Sequence, residues 1–199
     1  MSLILVRHGE TAGNFARVVQ GPEIPLNETG LQQAERVAAR LRDEGAVRVL
    51  TSDHPRALMT AEAIARHTGL PLLQHAILRE RDMGDFRGRA YSTFTEFHPL
   101  APDVNPPNGE TWDAFHLRVR EAFAWLVAER ARVAAPLIVV THGLVLRSVF
   151  ERVLDRAPLV ATVGFANTGV SILEAAPPHA HSLLNCVRHL DTNAERGEI

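Results

Sequence analysis

Two short runs hold the residues best suited to chemistry. Arg7-His8-Gly9-Glu10-Thr11 follows the apolar run Leu3-Ile4-Leu5-Val6, and Thr141-His142-Gly143 follows Leu137-Ile138-Val139-Val140. Each reads as a buried strand that ends by delivering a histidine, with a glycine next to it so that the backbone can turn close to a ligand. An imidazole fixed by a strand beside a guanidinium is what phosphoryl chemistry on histidine needs. The ring can attack, and the arginine supplies charge for phosphate oxygens. The second run also opens a helix, whose start at Gly143 offers free backbone N–H groups to an anion. Arg56 falls in the first turn of another helix, where a cation opposes the helix dipole unless an anion sits beside it. Asn14, six residues after His8, has an amide able to donate to a phosphate oxygen.

These side chains need elements to hold them. The pattern predicts strands at 2–6, 47–50, 71–74, 137–140, 170–173 and 183–187. It predicts helices at 30–44, 55–68, 111–134 and about 144–154. Pro55 suits a helix first turn, and Gly45 and Gly69 suit helix ends. Alternating strands and helices argue for an α/β fold: a three-layer sandwich with a mostly parallel central sheet flanked by helices. The continuous apolar strands suit a sheet covered on both faces, and the last two strands allow an antiparallel edge. No repeat or linker interrupts the chain, so one domain over 1–199 is expected. Residues 81–110 are charged, then aromatic, then proline-rich, and read as a lid on that core.

The ordered set of motifs resembles the signature of the histidine phosphatase superfamily, the phosphoglycerate mutase-like group. The set comprises Arg7-His8-Gly9-Glu10, Asn14, the segment Thr51 to Ala61 with Arg56, Leu78-Arg79-Glu80 leading to Gly84-Asp85-Phe86-Arg87-Gly88, and Thr141-His142-Gly143. Weaker matches are Gln20-Gly21, Pro25-Leu26, Gly109-Glu110-Thr111 and Asn167-Thr168. The resemblance implies a phosphomonoesterase in which His8 becomes a phosphohistidine. It implies that Arg7, Arg56, His142, Asn14 and the Gly143 backbone hold the phosphoryl oxygens, and that Glu80 protonates the leaving group. Glu80 would then need a pKa above the reference of about 4.3, which burial and a nearby phosphate dianion would supply. No metal or other cofactor is implied, since arginines and histidine provide the positive charge. Glu10 and Thr11 are expected to orient the loop by hydrogen bonds.

Two rival readings share these motifs. A cofactor-dependent mutase would return the phosphoryl group to the substrate, but such mutases of the family carry a longer insertion than 81–110. A non-catalytic phosphate-binding module would be expected to lose Arg7, His8 or the acid, and all three are present. Departures from the family pattern cluster near the mouth. Phe86 stands where tryptophan is usual, Arg87 where an acid often precedes the second glycine, and Asn27 replaces a threonine helix cap.

Composition narrows the partners. The chain has 199 residues, 46% apolar and 22% charged, with net charge −2, so no basic field points to nucleic acid. All 21 basic residues are arginine, which excludes a Schiff-base lysine and a lysine-bearing phosphate loop. No apolar run approaches a membrane span, and Met1-Ser2-Leu3 enters the first strand without signal-peptide features. A soluble, cytoplasmic enzyme acting on a small-molecule phosphate ester is expected, with oligomeric state open. Cys186, the lone cysteine, is expected as a buried small hydrophobe.

Several residues have a plain reading beside a sharper one. Arg79, Arg81, Arg87 and Arg89 crowd around Glu80. They form either a solvated face paired with Asp82 and Asp85 or a rim favouring substrates with a second anionic group. Tyr91, Phe94 and Phe97 suggest either packing of a lid helix or an apolar substrate wall. His54 either caps a helix or touches substrate, and His179 and His181 are expected in solvent rather than on a metal.

Overall fold

The computed structural model describes residues 2–160 and 164–190. Its strands are β1 (Ser2–Arg7), β2 (Arg48–Thr51), β3 (Leu72–Gln74), β4 (Leu137–Thr141), β5 (Val170–Glu174) and β6 (His181–Cys186). They form a sheet in the order β3-β2-β4-β1-β5-β6. The pairs β2–β3, β2–β4 and β1–β4 are parallel, and β1–β5 and β5–β6 are antiparallel. The α-helices among the described residues are α1 (Ala12–Phe15), α2 (Glu28–Leu41), α3 (Pro55–Thr68), α4 (Trp112–Ala131), α5 (Gly143–Ser148) and the short α6 (Ala157–Val160). This is the mostly parallel α/β sandwich expected from the sequence.

The apolar strands explain the layers. Successive side chains of a strand point to opposite faces. Leu3 and Leu5 of β1, with Leu137 and Val139 of β4, pack against Phe115, Val119 and Phe123 of α4. Ile4 and Val6, with Ile138 and Val140, pack against Val37 and Leu41 of α2 and Ala61 and Ile64 of α3. Both faces are covered, so neither set alternates with polar residues. Burying each such side chain contributes about 1.5–3 kcal/mol, which holds the central strands rigid.

The helix starts are built as the residue types suggest. Asn27 caps α2 by accepting from the Gly30 N–H at 2.8 Å, so this helix begins earlier than 30 and ends at Leu41 rather than 44. Thr111 caps α4 by accepting from Ala114 N–H at 3.2 Å. Thr11 caps α1 through Asn14 N–H at 3.0 Å. Glu10 is tied to α2, because the Asn27 amide donates to its carboxylate at 2.8 Å and Gln33 accepts from its N–H at 2.8 Å. Glu10 and Thr11 thus orient the loop as expected.

Four local expectations need correction. Residues 81–110 contain no lid helix. They contain 3-10 turns at Gly84–Phe86 and Tyr91–Thr93, because Gly84 and Gly88 take positive φ and the later prolines break any continuation. The aromatic residues still pack, with the Phe86 and Phe94 ring centroids 5.0 Å apart. The helix expected over 144–154 is α5 followed by a π-helical turn at Val149–Val153. Cys186 is half-buried, not buried, since β6 is an edge strand. The last strand starts at His181, so that residue joins the sheet edge, and its ring meets Arg156 at 3.1 Å. Among the described residues no helix is long and apolar enough to cross a membrane.

Candidate active site

The register of β1 against β4 builds the centre of the site. Arg7 lies opposite Thr141, and the His8 N–H donates to the Thr141 carbonyl at 2.9 Å. The two strand-histidine-glycine runs therefore end side by side at the C-terminal edge of the sheet, where open α/β folds bind ligands. The His8 and His142 ring centroids are 5.1 Å apart. β2 ends on the other flank of β4, and the Ser52 N–H donates to the Val140 carbonyl at 3.1 Å. Both histidines and Ser52 are fully or almost fully buried.

His8 has a fixed proton. Its Nδ1 is 2.7 Å from the Gly9 carbonyl, which only accepts, so Nδ1 bears the hydrogen and Nε2 keeps its lone pair. Burial, then the charges of Arg56 and Arg7, hold the His8 pKa well below its ordinary range. The ring is a neutral base. The loop after it is clamped, since the Gly9 N–H donates to Thr60 Oγ1 at 3.1 Å and Asn167 Nδ2 donates to the His8 carbonyl at 3.0 Å.

Two arginines stand beside it. Arg7 donates through Nη1 to the Phe165 carbonyl at 2.6 Å, and burial pushes its pKa down to about 10, which leaves it charged. Arg56, in the first turn of α3, donates through Nη1 to the Gly21 carbonyl at 3.0 Å and through Nη2 to His54 Nδ1 at 3.3 Å. His54 occupies the N-cap position of α3, where its carbonyl accepts from the Leu58 N–H at 3.0 Å, but its side chain makes no capping bond. It packs instead against His142, with centroids 5.1 Å apart, and burial beside Arg56 pushes its pKa down to about 4.

Six buried side-chain polar atoms lack a hydrogen-bond partner among the described residues, and three of them belong to this cluster: Arg7 Nε, Arg56 Nε and His142 Nδ1. Unpartnered buried donors are costly, and those on one cluster are suited to oxygens of an anion. Asn14 adds another donor. Its Oδ1 accepts from Thr11 N–H and from Asn167 Nδ2, both at 3.3 Å, which orients the amide so that Nδ2 is available to the cleft. Gly143 lies against Arg7, where an added Cβ would stand 3.4 Å from Nε, so the α5 start and the guanidinium flank the same space.

Glu80 faces these cations from the far wall. Its Oε1 accepts from Arg81 N–H and its Oε2 from Leu144 N–H, both at 3.1 Å. Burial raises its pKa, and the two backbone N–H groups with Arg56 and Arg7 oppose that rise. A carboxyl with a raised pKa keeps its proton to higher pH than an ordinary carboxyl, as a proton donor needs.

The resulting cleft of about 150 Å³ is lined by Arg7, His8, Asn14, Arg56, Glu80 and Gly143, with apolar walls from Met83, Tyr91, Leu100 and Phe165. It adjoins a wider depression of about 640 Å³, and the two share Arg56, Glu80 and Arg81. Among the described residues no group of three His, Cys, Asp or Glu side chains is placed to hold a metal ion.

Every site residue picked from the sequence lies in or against this cleft. His142 is fully buried, and its ring lies against those of His8 and His54. Sequence reasoning gave no role to Ser52, Thr60, the Leu144 N–H or Asn167. Ser52 was within reach, since it lies just past a predicted strand, as His8 and His142 do. Thr60 and Asn167 lie inside matched segments and Leu144 directly follows one, but the groups they bond to are set by the fold.

Comparisons with known proteins agree with this geometry. The family model of the histidine phosphatase superfamily (branch 1) matches residues 3–185. The chain is 37% identical over 182 residues to phosphoglycerate mutase-like protein 4 of Arabidopsis thaliana, covering 85% of this chain and 77% of that one. It is 36% identical over 163 residues to the metal-independent phosphoserine phosphatase of the same plant, covering 76% and 68%. Among solved structures, Bacillus stearothermophilus YhfR superimposes with TM-score 0.85 at 30% identity, covering 96% of this chain and 99% of that one. With its paired strand-end histidines, buried arginines and facing carboxyl, this chain belongs to the histidine phosphatase superfamily.

Proposed function

We propose that this phosphoric monoester hydrolase works without metal on a small phosphate ester, through a phosphohistidine on His8. The carrying observation is the fixed His8 ring, with Nδ1 tied to Gly9, set among Arg7, Arg56 and His142 and facing Glu80. In the first step the Nε2 lone pair forms a bond to phosphorus while the bond to the leaving oxygen breaks. The Glu80 carboxyl proton goes to that oxygen. Arg7 Nε, Arg56 Nε, His142 Nδ1, Asn14 Nδ2 and the Gly143 backbone hold the three phosphoryl oxygens as charge spreads over them. In the second step the Glu80 carboxylate takes a proton from water as its oxygen attacks phosphorus, and the N–P electron pair returns to Nε2.

Hydrolysis is favoured over phosphoryl return because Glu80 borders the wide depression as well as the cleft, which gives water a path to the phosphohistidine. The similarity to a protein named as a metal-independent phosphoserine phosphatase supports the same reading. A lone cysteine fits a reducing compartment, and we place the enzyme in the cytoplasm as one catalytic domain.

The test is release of inorganic phosphate from a panel of monoesters including 3-phosphoglycerate, without added metal, for wild type and His8→Ala. Release that disappears in the variant is the expected result. Interconversion of 2- and 3-phosphoglycerate with little free phosphate would mean a mutase. Binding of phosphate with no turnover of an activated aryl ester would mean a non-catalytic module.

A further inference from the structure

Residues 165–168 hold the end of β1 from one side. The Phe165 carbonyl takes Arg7 Nη1, and Asn167 Nδ2 donates to the His8 carbonyl. Thr168 ties down both residues at once. Its N–H donates to the Arg7 carbonyl at 3.0 Å and to the His8 carbonyl at 3.3 Å. Thr168 is fully buried and takes a φ of 54°. Side chains branched at Cβ rarely adopt that left-handed conformation, so other contacts must hold it there.

Those contacts come from outside the site. Thr168 Oγ1 donates to the Asn167 carbonyl at 2.8 Å and lies 3.0 Å from His189 Nε2. On the other side of that ring stands Arg40 of α2, with Nη1 3.0 Å from His189 Nδ1 and 2.9 Å from the Cys186 carbonyl. A guanidinium only donates, so Nδ1 accepts and Nε2 bears the hydrogen. Burial, then the charges of Arg40 and Arg36, push the His189 pKa down to about 4, in keeping with a neutral ring. One donor direction therefore runs from Arg40 through the imidazole to Thr168 and on to the Asn167 carbonyl. His189 lies in the turn after β6, where the Leu190 N–H donates to the Val187 carbonyl at 2.8 Å. It falls beyond residues 3–185, the part matched by the family model.

We propose that His189 is a positioning residue for the reaction, acting through Thr168 on the backbone that presents Arg7 and His8. This rests on the phosphatase reading above. Loss of the ring bond leaves Thr168 Oγ1 short of a donor and frees its left-handed turn to relax. The Arg7 and His8 carbonyls then lose the N–H they share. A displaced nucleophile costs rate. Phosphate affinity should change less, because Arg56, His142 and the Gly143 backbone come from other elements. Glutamine carries an acceptor and a donor on one flat group, so it can replace both ring bonds.

The experiment follows p-nitrophenyl phosphate turnover and thermal melting in wild type, His189→Phe and His189→Gln. His189→Phe keeps a ring and removes both nitrogens. Its kcat is expected to fall by about ten- to hundredfold, with KM within about twofold of wild type. His189→Gln is expected to recover most of that loss. Nitrogen-15 spectra of wild type should show His189 as a neutral Nε2–H ring. A lower melting temperature with kcat intact would overturn the proposal and leave His189 with a purely structural role. So would a loss confined to KM, or a folded His189→Gln as slow as His189→Phe. The wild-type spectrum decides even where His189→Phe does not fold, since an Nδ1–H or cationic ring at neutral pH would overturn the proposal. Wild type that releases phosphate from no ester would instead sink the phosphatase reading, and this role for His189 with it.

Discussion

Ser52 Oγ lies 2.9 Å from His142 Nε2, and the His54 N–H donates to the same Oγ at 3.2 Å. Oγ accepts one bond there, and its own hydrogen is free to be donated to Nε2. Burial, with Arg56 and His8 close by, holds the His142 pKa well below its ordinary range, so the ring is neutral and one tautomer choice remains. We infer that Nε2 accepts and Nδ1 bears the proton, because Nδ1 is buried without a partner among the phosphate-cluster donors and meets an anion only as a donor. Ser52 thus acts through His142 as a positioning residue.

Ser52→Ala should lower kcat/KM by roughly ten- to hundredfold, the range for leaving a buried polar group unsatisfied. Nitrogen-15 spectra of the His142 ring should move from a pure Nδ1–H form towards a mixture. Spectra and rates both unchanged would show that the hydroxyl does not set the tautomer.

Glu80→Gln keeps the shape but cannot transfer a proton. Its kcat should fall by roughly 10²- to 10⁴-fold on alkyl phosphates. The loss should be far smaller on p-nitrophenyl phosphate, whose leaving group needs little protonation. The raised pKa of Glu80 sets the sign of the pH effect. The carboxyl is protonated below that pKa, so wild-type kcat should fall as pH rises through it. A plot of kcat against pH for both proteins checks this, and the falling limb should vanish in the variant.

His8 should remain the free base through the neutral range. Burial and two arginines lower its pKa well below 6.5, so protonation should occur only under acid conditions. NMR titration of the His8 ring in the free protein is the measurement. An inflection near the ordinary value of about 6.5 would contradict the buried cationic setting.

Gly30→Ala should damage the site from outside it. A Cβ at Gly30 would stand 2.0 Å from the Glu10 carbonyl oxygen, and one at Gly9 would stand 2.5 Å from the Gly30 oxygen, so the loop and α2 meet backbone to backbone. Overpacking of this kind costs about 1–3 kcal/mol. Thermal melts should show lower stability, and kcat should drop because the Glu10 loop carries the backbone that orients His8.

Local pattern in the sequence determined much of this protein. Apolar strands that end in His8 and His142, helix periodicity with Asn27 and Pro55 at the starts, and Arg56 in a first turn are short-range signals. They follow from side-chain period and capping chemistry, which neighbouring residues alone control. The reading failed where conformation depends on distant contacts. The spacing of Tyr91, Phe94 and Phe97 suggests a lid helix or a substrate wall, yet the glycines and prolines of 81–110 yield 3-10 turns, with Phe86 and Phe94 packed against Val19 and Tyr91 lining the cleft. Cys186 read as buried from its apolar neighbours, but burial depends on which strand occupies the sheet edge. The pairing of β1 with β4, the Leu144 N–H on Glu80, the Ser52 hydroxyl on His142 and the Arg81 guanidinium on the Val104 carbonyl join segments tens of residues apart. Composition and period do not say which strand lies next to which, or which arginine finds a carboxylate. The sequence therefore supplied the reactive groups and the elements that carry them. Tertiary packing decided their register, their burial and hence their proton states.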